Sequence, residues 1–183
     1  MKKIVVFVLG PDRPGIIAKI SKILFLYGCN LEDVSQTILQ GEFTGIFITT
    51  MRDSSDENGV LASLRSELEP LGLFVHLKPM LSSGESQQQP VESFIITTVG
   101  PDKPGLIAGI SEVLAHYKVN ITNLKAVSGI HGNPPHYITI YEVDIPPEID
   151  YHILRNALYK RSRQLGQDIN IQHRDIFEQI HRV

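Results

Sequence analysis

Hydrophobic and polar positions along the chain fall into a pattern that occurs twice. Ile4 to Leu9 and Phe94 to Val99 are short β-branched and aromatic runs ending at Gly-Pro, which predicts strands covered along much of their length. Behind the first run, Ile16, Ile17, Ile20, Ile23, Leu24 and Tyr27 share the spacing of one helical stripe. Leu106, Ile107, Ile110, Val113, Leu114 and Tyr117 repeat it behind the second. Each stripe predicts a three-turn helix, with Pro14 or Pro104 in the first turn, where a missing N–H does no harm. A hairpin is predicted next, Leu31–Leu39 and Glu42–Met51 turned at Gln40-Gly41. Its counterparts, Ile121–Val127 and Tyr137–Val143, flank a longer loop from Ser128 to His136. Ser54-Ser55-Asp56-Glu57 has the form of a capping box and opens a helix carrying Val60, Leu61, Leu64 and Leu68. The second such helix is predicted to open at Pro146-Pro147-Glu148. Leu73–Leu77 and Asp168–Gln172 alternate as closing strands, and Asp175 to His181 predicts a short helix.

The two halves are copies. Gly10-Pro11-Asp12-Arg13-Pro14-Gly15 returns as Gly100-Pro101-Asp102-Lys103-Pro104-Gly105, and 12 of the 22 positions from Gly10 to Leu31 are identical to those ninety residues on. Ser82 to Pro90 is polar, lacks large apolar residues and closes on proline, so it reads as a linker. The expected division is 1–81, a linker at 82–90, 91–174, and a helical tail at 175–183. Strand, helix, two strands, helix and strand make an α+β unit, the ferredoxin-like βαββαβ arrangement, with an antiparallel sheet and both helices on one face.

Composition narrows the function. The chain has 183 residues, 42% of them hydrophobic, and a net charge of −3, so no strong field attracts nucleic acid or an acidic membrane. One cysteine, Cys29, excludes an internal disulfide and a cysteine-rich zinc site, and its place after an apolar helix predicts a buried structural thiol. The apolar run at the start is too short for a signal core or a membrane span, and the expected location is cytoplasmic. His76, His131, His136 and His173 lack metal spacing and read as loop or strand-end residues, with no metal and no cofactor expected. No nucleophile elbow, dinucleotide fingerprint or Walker lysine appears, so no catalytic residue is nominated. Lys160, Arg161 and Arg163 form a basic cluster that suits a helix C-terminus, and no helix-turn-helix pattern points to direct DNA contact.

The turn into each leading helix carries the candidate chemistry. A helix N-terminus offers free N–H groups to a carboxylate. Asp12 or Asp102 can accept from an ammonium, and the amide of Asn30 or Asn120 both donates and accepts. Gly15 and Gly105 allow close approach. Asp12 and Asp102 read equally as helix N-caps, and Asn30 and Asn120 as turn residues before a strand.

The sequence Gly10-Pro11-Asp12-Arg13-Pro14-Gly15-Ile16-Ile17, followed by Asn30, resembles the ACT domain family of small regulatory modules, and the resemblance covers both copies. It implies a ligand site at this turn, often between paired units. The matching positions are Gly10, Asp12 and Asn30, and Gly100, Asp102 and Asn120. Where serine-binding members carry histidine and asparagine, this chain has Gly10 and Asp12. The resemblance implies a non-enzymatic sensor of a small amino acid, glycine first, in amino-acid or one-carbon metabolism. It implies a homodimer and a regulatory protein partner, such as a transcriptional activator that makes any DNA contact. The alternative is a ligand-free interaction scaffold.

Overall fold

Each apolar run becomes an interior strand with a partner on both sides. The computed structural model describes residues 1–52, 56–80, 91–129 and 136–175, and the chain divides into two units, Met1–Glu85 and Ser86–Val183. The first contains β1 (Lys2–Pro11), α1 (Ile16–Leu26), β2 (Asn30–Leu39), β3 (Glu42–Met51), α2 (Glu57–Leu68) and β4 (Phe74–Pro79). The second contains β5 (Glu92–Pro101), α3 (Leu106–His116), β6 (Asn120–Ser128), β7 (His136–Ile145), α4 (Tyr151–Gln164) and β8 (Asp168–His173). Both sheets are antiparallel, in the orders β2-β3-β1-β4 and β6-β7-β5-β8. This is the expected ferredoxin-like fold, twice. The expected linker and all of the expected tail except Asp175 lie outside the described residues.

One sheet face carries both helices of a unit. Ile4, Val6 and Val8 of β1 meet Ile20 and Leu24 of α1 and Val60, Leu64 and Leu68 of α2 in a single core. Gln40 and Gly41 take φ of 51° and 85° at the hairpin tip, the paired left-handed geometry that matches strand twist. Cys29 is buried beside this core, and burial pushes its thiol above the ordinary value against an opposing Thr49 hydroxyl.

Two helix starts differ from expectation. Asp56 is the N-cap of α2, but its side chain accepts no capping hydrogen bond. Glu57 instead pairs with Lys2 at 2.8 Å, while Ser54 and Ser55 lie outside the described residues. α4 begins at Tyr151 rather than at the proline pair, because Asp150 accepts from the amides of His152 at 2.8 Å and Ile153 at 3.2 Å.

The cores of the two units are not equivalent. In register, Val8 opposite Gly45 becomes Thr98 opposite Thr139, and Val6 opposite Phe47 becomes Ile96 opposite Tyr141. Leu68 and Leu73, joined by a backbone hydrogen bond, become Ser162 and Gln167 with the same bond. All of these polar replacements are buried. The Thr98 and Thr139 hydroxyls pair at 2.6 Å. The Tyr141 hydroxyl has no hydrogen-bond partner among the described residues, and burial raises its pKa against an opposing influence of the Thr139 hydroxyl.

Two outcomes follow from this packing. A Cβ at Gly10 lies 2.6 Å from the Gly72 carbonyl oxygen, at a φ of +145°, so Gly10→Ala is expected to cost about 2–4 kcal/mol in urea denaturation. Tyr141 has a raised folded-state pKa, so its contribution is intact below about pH 10 and is lost as pH rises through the folded value. Tyr141→Phe is expected to flatten the alkaline decline of the thermal midpoint; an unchanged decline would refute the assignment.

Candidate functional site

The turns after β1 and β5 are shaped by glycine at both ends. Gly10 and Gly100 are buried and close the strands. A Cβ on Gly100 meets Gln167 Nε2 at 2.6 Å and the Gly166 carbonyl oxygen at 2.8 Å, as one on Gly10 meets Gly72. These two glycines therefore seat each turn against the segment entering β4 or β8. At the other end Gly15 and Gly105 are exposed, with φ of 94° and 90°. Nothing lies within 4 Å of a Cβ at either position, so backbone conformation rather than crowding calls for glycine there.

Gly15 and Gly105 are the N-caps of α1 and α3, and neither cap has a side-chain hydrogen bond. The prolines consequently precede the N-cap instead of lying in the first turn. The N-cap reading of Asp12 and Asp102 is also removed, because each stands three residues ahead of the cap and is exposed. The first-turn amides receive no acceptor from the cap side chain, an arrangement that favours an anion.

A shallow cleft opens at each turn. The first, ≈430 Å³, is lined by Asp12, Arg13, Gly15, Ile16, Ile17, Ala18, Gln36 and Phe43. The second, ≈270 Å³, is lined by residues from Asp102 to Ala108 and by Tyr137. In the first unit the Asp12 amide donates to the Gly41 carbonyl at 2.8 Å, fastening the turn to the hairpin tip.

Asn30 and Asn120 are not brought to these clefts within their own units. Asn30 pairs with Thr50 and Gly10 with Phe43, seven positions apart on β3; Asn120 with Asp144 and Gly100 with Tyr137 show the same separation on β7. Seven strand residues span about 23 Å. Gln36, Phe43 and Tyr137 are the lining residues that sequence reasoning missed. Phe43 and Tyr137 lie directly opposite Gly10 and Gly100, so the signal was the strand register, which a linear pattern does not display.

The remaining chemistry disperses. Among the described residues no group of three His, Cys, Asp or Glu is placed to hold a metal ion. His76 lies beside Phe7 and His173 packs edge-on against Phe94, while His131 lies outside the described residues. Arg161 leaves the expected basic cluster for the Gly109 carbonyl and Glu112, and Lys160 and Arg163 share an open depression with Arg155 on α4. No helix among the described residues is long and apolar enough to cross a membrane.

The ACT domain profile matches residues 2–78 and 92–172, and the chain belongs to the ACT domain family. It is an ACT-domain regulatory protein with two tandem modules. A UPF0237 protein of Methanococcus maripaludis is 35% identical over 94 residues, covering 51% of this chain and 100% of that protein. A UPF0237 protein of Methanopyrus kandleri is 34% identical over 91 residues, covering 49% and 96%. The two-unit fold recurs in an unknown protein from Galdieria sulphuraria, with TM-score 0.78 and 23% identity over 94% of this chain and 98% of that one. It recurs also in a candidate glycine cleavage system transcriptional repressor, with TM-score 0.64 and 18% identity over 93% and 96%.

Because Asp12 and Asp102 cap nothing, Asp12→Ala and Asp102→Ala are expected to change stability by less than about 0.5 kcal/mol. Asp150→Ala, which removes a formed cap, is expected to cost about 1 kcal/mol. Chemical denaturation of the three variants checks both expectations.

Proposed function

We propose that this protein is a non-enzymatic cytoplasmic sensor of a small amino acid, glycine first. It would report occupancy to a regulatory protein partner, such as a transcriptional activator controlling glycine cleavage or related one-carbon genes. The observation that carries the reading is the duplicated helix N-terminus without a side-chain cap, opening into a cleft beside an exposed aspartate. A zwitterion matches both charges: its carboxylate meets the first-turn amides, and its ammonium meets Asp12 or Asp102. Gly10, Gly15, Gly100 and Gly105 supply the backbone path, and the name of the repressor that shares the fold suggests the metabolite and the gene class.

A homodimer, in which Asn30 or Asn120 of one copy completes a turn of its partner, would reconcile the asparagines with their distance from their own clefts. The exposed edge strands β2 and β6 suit such pairing. The same distance favours a second reading, a ligand-free scaffold in which both asparagines serve only their strands.

Isothermal titration of the full chain with the common amino acids separates the readings. Sensing predicts saturable heat with glycine or a close analogue, reduced about tenfold or more in affinity by Asn30→Ala with Asn120→Ala. Absence of saturable heat from every amino acid would sink the sensing account. Binding that survives the double substitution unchanged would remove the asparagines from the site.

A further inference from the structure

The second unit has a polar group beneath its cleft that the first unit lacks. Gln167 follows Gly166 into β8, as Leu73 follows Gly72 into β4. It is 4% exposed. Its Nε2 donates to the Pro101 carbonyl at 2.9 Å, and its carboxamide lies against Gly100, where a Cβ would collide with it. Gln167 thus forms the floor of the β5–α3 turn.

Orientation of this amide is fixed by its neighbour. A carbonyl facing the side chain needs a donor, so nitrogen must point to Pro101 and oxygen the other way. That oxygen, Oε1, is buried and has no hydrogen-bond partner among the described residues. Buried acceptors are almost always satisfied by protein or by ordered water. The apolar counterpart in the first unit shows that the fold does not require an amide here. Lys103 brings an ammonium to 3.5 Å from the Cβ position of Gly166, placing a cation at the rim to receive a carboxylate.

We propose that Gln167 Oε1 is an interior acceptor site for a compact hydrogen-bond donor, present in the second unit only. Its occupant is an ordered water or the ammonium group of a small amino acid whose carboxylate lies toward Lys103 and the α3 amides. The ammonium case rests on the sensing reading above; the water case does not.

Crystals of the full chain grown without and with saturating glycine, at a resolution that places ordered water, test the site. A water on Oε1 in both crystals assigns it to hydration, and a glycine ammonium there in the second assigns it to ligand. Oε1 without a donor in both crystals overturns the proposal. Gln167→Met keeps the side-chain volume and removes the acceptor, so the donor is expected to disappear. In the ammonium case glycine affinity also falls about tenfold, while Leu73→Met leaves it unchanged. A wild-type chain that ignores glycine yet holds water on Oε1 would defeat sensing and leave this site standing.

Discussion

A contact between backbones at the end of the first strand sets everything that follows in each unit. The chain entering the last strand presses a carbonyl oxygen against Gly10 or Gly100, where no side chain fits. The strand ends one residue further on, at Pro11 or Pro101, and the chain turns before the helix begins. A second glycine completes the turn in the left-handed region, and a glycine has no side chain with which to cap. The first amides of each helix therefore have no acceptor from a cap side chain.

Duplication preserved that constraint while letting the interiors diverge. The first unit fills the region under its turn with Val8, Phe47, Leu68 and Leu73, and the second fills it with Thr98, Tyr141, Ser162 and Gln167. Only part of that polar capacity is met internally, by the Thr98–Thr139 pair, by the Ser162 hydroxyl donating to the Tyr159 carbonyl, and by the Gln167 nitrogen. Polar groups held in a low-dielectric interior specify orientation more sharply than hydrocarbon does, and they are costlier when unmatched. One module is therefore built as an apolar frame and the other as a frame with chemistry inside it.

Much of the fold was legible because its signals are local and repeated. The stripe from Ile16 to Tyr27, the left-handed Gln40-Gly41 tip and the ninety-residue repeat each depend on neighbours in sequence. The candidate site was less legible. Asp12 reads as a cap in a string of letters, and only the backbone conformation of Gly15 moves the cap three residues on. Asn30 reads as a companion of Gly10, and only the antiparallel register carries it to the far end of β3. Gln167 stands just ahead of an alternating strand, where the pattern gives no hint that a polar residue has turned inward.

The hydrogen bond from the Asp12 amide to the Gly41 carbonyl ties two surfaces that are otherwise separate. One is the mouth of the first cleft; the other is the tip of a hairpin whose outer strand has a free edge. Anything that docks along that edge and shifts the tip must strain or release the mouth. Were a ligand to occupy the mouth, linkage would run in both directions with equal strength, from the edge strand to the cleft and from the cleft to the edge.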